Sequence, residues 1–471
     1  MKTTGVVPCS QMLRLAALYV AVVLAAVAVF FLIQSYGDNL SAPAPATAAA
    51  SGASAKSSDV LYHLLLALAA VVAVGRLLNP LFKWIGQPPV IGEVIGGILL
   101  GPSLLGLVAP SVYLYVLPPD VAPYLGMVAQ LGVILYMFLV GLELNPAQMR
   151  GRVHSTVAIS HASIVVPFVL GAGLALYMYP RFSTSDVPFT NFALFLGLAM
   201  SITAFPVLAR ILSDCGLTVT ELGTIALTCA AIDDVTAWCL LAFVVGVVQA
   251  TANGTLFVAG LTLAFIAVMF IVIRPLAVWL AQRSEERTPS QGTIALAILG
   301  LLLSSLSTEW IGIHAIFGAF LFGAVFPHDS HLAHSLRKGI ENLATILLLP
   351  AFFAFTGMRT SVGLLSGMYE WLICGLIIAV ATAGKFGGSV VAARFTGLGW
   401  RQSAALGILM NTRGLMELIV LNVGLELGVI SQKVFTMMVL MALVTTIAST
   451  PILQRLIRVP MQKSSPVTVF D

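Results

Sequence analysis

Charge is what this sequence lacks most. Only 9% of its 471 residues are Asp, Glu, Lys or Arg, while 59% are hydrophobic and the mean hydropathy is +1.02. A soluble globular protein carries about 25% charged residues, so the composition excludes a water-soluble fold. The net charge of +4 is too small to argue for nucleic acid. Cysteine is sparse as well. Cys9, Cys215, Cys229, Cys239 and Cys374 are dispersed without metal-ligand spacing and read as small core residues. There is no Gly-rich phosphate loop, no His/Cys metal cluster and no Ser-His nucleophile pattern, so nothing calls for a cofactor or marks an enzyme. The short alternating segments of a membrane β-barrel are missing too.

What is present is continuous apolar sequence. Runs long enough to cross a bilayer need roughly 20 residues each, and about fourteen occur, centred near residues 23, 69, 97, 132, 167, 197, 232, 265, 300, 319, 349, 380, 414 and 443. The expected fold class is therefore an all-α, multi-pass membrane protein in the lipid bilayer. Basic residues separate by loop. One alternating set of loops, with the C-terminus, holds fifteen, among them Arg76, Lys83, Arg150, Arg152, Arg210, Arg274 and Arg455; the opposite set holds Lys56, Arg181, Arg359 and Lys433. The positive-inside rule makes the first set cytoplasmic and puts the C-terminus inside.

Residues 1–35 read as an uncleaved N-terminal anchor, since the apolar stretch from Leu15 to Ile33 exceeds the roughly 7–15 residues of a signal-peptide core; the alternative is cleavage at the small-residue sites of Ala42–Ser51. The Ala/Pro/Ser/Gly-rich segment 36–57 reads as a flexible external linker, 58–460 as one membrane domain of about 13 helices, and 461–471 as a short cytoplasmic tail. Two apolar segments within the domain are interrupted by helix-breaking polar residues, Ser201-Ile-Thr-Ala-Phe-Pro206 and Asn411-Thr-Arg-Gly414. Asp233 and Asp234 follow the first break by one helix, and Lys385 precedes the second by one helix. Paired breaks in mirrored order point to an inverted-repeat transporter site, with half-helix ends aimed at the midplane.

Asp233 and Asp234 lie inside an uninterrupted apolar run, where each ionised carboxylate costs on the order of 3 kcal/mol on the gentlest scales. Helix neighbours point about 100° apart, so one can face a bound ion while the other faces a partner. Lys385 is as unfavourable alone, and Asp233 is its obvious partner in a buried ion pair expected to break when a cation binds; the alternative is a lysine that snorkels to an interface. Arg413 and Glu417 are spaced i, i+4 and can neutralise each other beside the second break, or take part in gating. Thr203, Asn411 and Thr412 offer oxygens either to a cation or to backbone groups freed at the breaks. Glu93, among glycines that permit close helix contact, reads as structural and suited to a helix N-terminus. Glu143 and Glu309 read as solvated near the interfaces, and His63, His161 and His314 as core hydrogen-bonding groups.

These residues resemble the monovalent cation:proton antiporter-2 superfamily, in the branch that holds bacterial antiporters and the plant CHX-type cation/proton exchangers. The resemblance rests on Gly86-Gln-Pro-Pro-Val-Ile-Gly-Glu93, Gly101-Pro-Ser-Leu-Leu-Gly106, residues 201–212, Ala230-Ala-Ile-Asp-Asp-Val-Thr-Ala-Trp238, Gly357-Met-Arg359 and residues 411–422. It implies an inverted-repeat fold with two crossed broken helices, a dimerisation bundle and a mobile core bundle, and a homodimer in the plasma (inner) membrane. It also implies exchange of a monovalent cation, Na+ or K+, for H+. Asp234 falls where the family keeps its ion- and proton-carrying aspartate, Asp233 where members carry Asp, Asn or Gln, and Lys385 on the basic position of the facing helix. A double aspartate is common in electrogenic sodium exchangers, whereas the plant exchangers usually carry Asn-Asp and favour potassium. The expected N-terminal anchor, and the expected lack of a long cytosolic tail, depart from the family pattern.

Three other readings fit parts of the pattern. A gated potassium efflux channel could use similar residues but has no need of a basic residue competing with the cation. An intramembrane aspartyl hydrolase also uses two aspartates, usually from separate helices, whereas these are adjacent on one. A symporter of an organic anion shares the broken-helix logic, and the double aspartate disfavours it.

Overall fold

The computed structural model describes residues 9–43, 57–143, 153–218, 220–249, 255–283, 289–327 and 329–457. In chain order its α-helices are α1 (Cys9–Gly37), α2 (Ser57–Trp84), α3 (Pro89–Leu100), α4 (Leu105–Val108), α5 (Pro110–Val116), α6 (Ala122–Glu143), α7 (Val153–Phe182), α8 (Phe189–Ser201), α9 (Phe205–Asp214) and α10 (Glu221–Gln249). They continue with α11 (Thr255–Val268), α12 (Arg274–Gln282), α13 (Gln291–Ile311), α14 (Ala315–Val325), α15 (His331–Leu343), α16 (Leu349–Arg359), α17 (Met368–Phe395), α18 (Trp400–Met410), α19 (Leu415–Glu426) and α20 (Gln432–Ile457). Among the described residues twelve helical stretches are long and apolar enough to span a membrane, or thirteen if the bent pair α18–α19 counts as one span. The run centred near 319 forms only the shorter apolar helix α14.

Proline punctuates these helices. Pro89, Pro110 and Pro206 sit at the first or second position of α3, α5 and α9, where a missing N–H costs nothing. Pro275 and Pro350 each follow a π-helical turn, Met269–Ile273 and Ala344–Leu348. The wider turn lets a continuous span absorb the donor that proline removes.

The helices sort into two bundles by packing. α2, α3, α6, α13, α14 and α16 pack mainly on one another; α7, α8, α9, α10, α17, α18 and α20 form the other bundle; α19 touches both sides. Glycine sets the closest approaches in the first bundle. A Cβ at Gly97 would fall 2.2 Å from the Ala354 carbonyl, and one at Gly357 2.2 Å from that of Val94, so α3 and α16 meet backbone to backbone. In the second bundle a Cβ at Gly384 would lie 2.8 Å from Pro167 Cα, which draws α17 onto α7.

Several sequence expectations shift. The first helix runs from Cys9 to Gly37 rather than ending at 35, and it docks on the second bundle, with Phe30 and Phe168 ring centroids 6.0 Å apart. Residues 1–8, 44–56 and 458–471, with most of the expected linker and all of the tail, lie outside the described residues. Ser185 N–H donates to Pro43 O at 3.0 Å, so the start of that linker is held. Arg76 and Lys83 lie within α2, Arg210 lies within α9, and Arg274 opens α12 inside a continuous helical span, so these residues are not in loops. Cys215, Cys229 and Cys374 are buried, but Cys239 faces outward and is not a core residue. Glu93 sits one turn into α3, where it accepts from Asn79 Nδ2 at 3.4 Å rather than capping the helix start. Glu309 is exposed, as expected, and also accepts from the Ala315 N–H at 2.8 Å, which caps α14.

Candidate functional site

Two short extended segments, 202–204 between α8 and α9 and 412–414 between α18 and α19, meet inside the second bundle. Ala204 N–H donates to Thr412 O at 3.0 Å, which ties one break to the other. A helix end leaves its last carbonyls unsatisfied, and here each break supplies the other's donors. Arg413 reaches across to α8, with Nη1 donating to Ala199 O at 3.0 Å and Nη2 to Met200 O at 2.8 Å. Thr203 Oγ1 lies 3.1 Å from Met410 O at the end of α18. Arg413 also pairs with Glu417 at 3.3 Å, both side chains fully buried. Its backbone N–H donates to Thr446 Oγ1, and that hydroxyl donates back to Arg413 O, each at 2.9 Å, which pins the break to α20. Thr412 turns its hydroxyl to Leu409 O at 2.8 Å. Arg413, Glu417 and Thr412 are thus held by the crossing itself.

The two aspartates lie beside this crossing on α10, both buried. Asp233 is surrounded by donors. Ser160 Oγ donates to Oδ1 at 2.5 Å; Ser163 Oγ at 2.7 Å, Thr203 Oγ1 at 2.8 Å and Lys385 Nζ at 3.1 Å donate to Oδ2. Lys385 donates to Thr203 Oγ1 as well. Four donors from three further segments, α7, the first break and α17, therefore converge on one carboxylate. A buried carboxylate so partnered is compatible with a dry interior.

Asp234 differs. It points elsewhere, as the 100° step between helix neighbours requires, and its carboxylate lies toward the Phe205 N–H at the start of α9. That end of α9 carries partial positive charge. Asp234 Oδ1 is buried and has no hydrogen-bond partner, and the same holds for Asn411 Oδ1 at the second break. Lone buried acceptors of this sort are uncommon in folded proteins, and each is free to bind a proton donor or a cation. No cluster of His, Cys, Asp and Glu able to hold a metal occurs among the described residues.

Ser160 and Ser163 were missed by sequence reasoning. Their signal was available: two hydroxyls at i, i+3 on one face of α7. Serines are common small helix residues, and the spacing alone gives no sign of the partner they share.

The model of the family described as "Sodium/hydrogen exchanger, transmembrane" matches residues 66–458. The chain belongs to this family. It is 44% identical over 409 residues to "Na(+)/H(+) antiporter NhaS4" of Synechocystis sp., covering 86% of this chain and 99% of that protein. It is 40% identical over 402 residues to "Cation/H(+) antiporter 20" of Arabidopsis thaliana and 34% identical over 410 residues to "K(+)/H(+) antiporter 1" of Saccharomyces cerevisiae. Those matches cover 82% and 84% of this chain, which spans about half the length of either relative, 48% and 47%. Among solved structures, the sodium proton antiporter MjNhaP1 from Methanocaldococcus jannaschii superposes with a TM-score of 0.59 over 84% of this chain and 96% of that one, at 14% identity. At that identity the likeness shows a shared fold, that of a sodium/proton antiporter.

Proposed function

We propose that this chain is a secondary active antiporter that exchanges a monovalent cation, Na+ or K+, for H+ by alternating access, with Asp234 as the shared carrier. One observation carries the reading. Of two adjacent buried carboxylates, Asp233 has its oxygens filled by four donors, while Asp234 keeps a free oxygen beside a half-helix N-terminus and the crossing. Asp233 and Lys385 hold the site's frame, and Asp234 exchanges its partner. Thr203 orients both frame members. Asn411, with its free amide oxygen, is a further ligand for the cation. Family membership and the cation/proton antiporter names of the relatives support this reading. The asymmetry of basic residues supports a plasma-membrane orientation with the C-terminus inside, and the resemblance supports a homodimer.

The test uses proteoliposomes with a trapped pH dye, challenged with each alkali cation in turn. The parent protein should move protons on addition of Na+ or K+. Asp234→Asn should lose exchange while keeping the parental melting profile; full exchange by that variant overturns the assignment. Because proton and cation compete for one carboxylate, the half-saturating cation concentration should rise as pH falls. A value flat across pH, with only the maximal rate changing, would place them at separate sites.

A further inference from the structure

Between the two bundles, on the face where α16 and α19 end, lies a small, partly open pocket of about 20 Å3. Its lining includes Gln130 of α6, His314 at the start of α14, Phe355 of α16, and Ile419, Asn422 and Glu426 of α19. A helix rises ~1.5 Å per residue, so Glu426 stands ~18 Å and Ile419 ~8 Å from the break at Gly414. The cavity therefore occupies the stretch between that surface and the crossing of the broken helices.

A cation tethered to the chain already engages two of the residues that line this pocket. Arg359, the last residue of α16, donates from Nη1 to Asn422 Oδ1 and to Glu426 Oε1, both at 3.1 Å. Its guanidinium carbon lies 5.1 Å from the centre of the Phe355 ring, within reach of a cation–π contact. An amide oxygen and a carboxylate four residues apart on one face of α19 thus form a site of unit negative charge. The resident is exchangeable: the Arg359 and Glu426 side chains are 26% and 44% exposed, so water and ions reach the pair and screen it. It also spans the bundles, with Arg359 on one and its acceptors on α19. Any motion that separates the bundles on this face must break the contact.

We propose that Asn422 Oδ1 and the Glu426 carboxylate form an entry site for a hydrated monovalent cation, at which the Arg359 guanidinium is a tethered occupant that the arriving cation displaces. The exchange is one positive charge for another, so local charge balance is kept, which favours a monovalent over a divalent ion. Displacement frees Arg359 from α19 and links arrival of the ion to opening of this face. The inference rests on the antiporter reading above, but it concerns a site some 18 Å from the break, as the helix rise gives it, and separate from Asp234.

The experiment measures half-saturating Na+ or K+ in proteoliposomes of uniform orientation, from each face in turn, at constant ionic strength set with a bulky organic cation. Glu426→Gln should raise the value roughly tenfold from the α16–α19 face, the scale of local electrostatic concentration of ions, and leave the opposite face unchanged. Glu426→Asp should restore most of the loss. Arg359→Gln should lower the value on the same face by removing the competitor. Equal changes from both faces, or none, in variants of a parent protein that exchanges normally would overturn the entry site and leave the antiporter reading standing. A parent protein inert to every alkali cation would overturn both. Should Glu426→Gln fail to fold, Arg359→Gln decides alone, since a merely structural tie gives no gain in affinity when cut.

Discussion

Replacing Lys385 with methionine keeps most of the apolar stem and removes the charge, so it tests how the buried pair is held. Lys385 is fully buried, 3.1 Å from Asp233, and without it a carboxylate is stranded in the interior. Breaking such a pair costs about 3–5 kcal/mol. Asp233 would retain donors from Ser160 at 2.5 Å, Ser163 at 2.7 Å and Thr203 at 2.8 Å, each hydrogen bond to a charged group being worth about 1.5–3 kcal/mol. The loss therefore falls at the low end, about 3 kcal/mol. Asp233→Asn with Lys385→Met removes both charges and should recover about 2 kcal/mol of it. Adding Ser160→Ala and Ser163→Ala to Lys385→Met should deepen the loss instead, because the lone carboxylate then keeps only Thr203. The assay is thermal unfolding of the detergent-solubilised variants, read by intrinsic fluorescence. The expected order of melting is parent, Asp233→Asn/Lys385→Met, Lys385→Met, then the variant that also lacks both serines. A Lys385→Met protein that melts with the parent, or a double variant whose loss is the sum of the two singles, would refute the argument.

Arg413→Gln should destabilise by about 3 kcal/mol or more, since it leaves Glu417 and the carbonyls of Ala199 and Met200 without their donor. Arg413→Lys should not restore the loss, because one ammonium cannot reproduce the fork; parental melting of either variant would count against the crossing's dependence on it. Gly384→Val should cost about 1–3 kcal/mol by overpacking, with the first added carbon already 2.8 Å from Pro167, and should slow exchange by moving Lys385 away from Asp233. A parental exchange rate in that variant would show that the α7–α17 approach does not set the position of Lys385.

The spans, the two breaks and the charged residues near them were legible because each carries a large free-energy signature in a membrane. An apolar run of 20 residues, or a carboxylate within one, has few innocent explanations. The Asp233–Lys385 contact could be anticipated because neither charge is tolerable alone. What stayed hidden was cheaper. Ser160 and Ser163 are unremarkable in a helix, where a serine can satisfy itself on the preceding turn, as Ser201 does on Gly197 at 2.7 Å. Arg413 was expected to serve Glu417, four residues on. Its main acceptors are more than 200 residues away in sequence, and no local spacing encodes them. Cys239 was misread for a related reason: α10 is apolar on all sides, so periodicity does not tell the lipid-facing surface from the packed one.

The crossing also constrains how the molecule can move. Each break closes the other's open helix end: Arg413 serves α8, Thr203 approaches the last carbonyl of α18, and Ala204 binds Thr412. Pulling the breaks apart would leave at least four buried polar groups unmatched, at about 1–3 kcal/mol each, and would dismantle the surroundings of Asp233 through Thr203. The contacts between the bundles are slighter. Polar ties there include Arg359 to Asn422 and Glu426, Asn422 Nδ2 to Thr356 Oγ1 at 2.8 Å, and Gln87 Nε2 to Ile447 O at 3.2 Å. Two of these involve groups open to water or only partly buried, where a broken bond is replaced by one to solvent. A motion that exposes Asp234 first to one face and then to the other therefore meets less resistance between the bundles than within the crossing. On the proposed alternating-access reading, the broken helices are expected to travel as one body with Asp233 and Asp234.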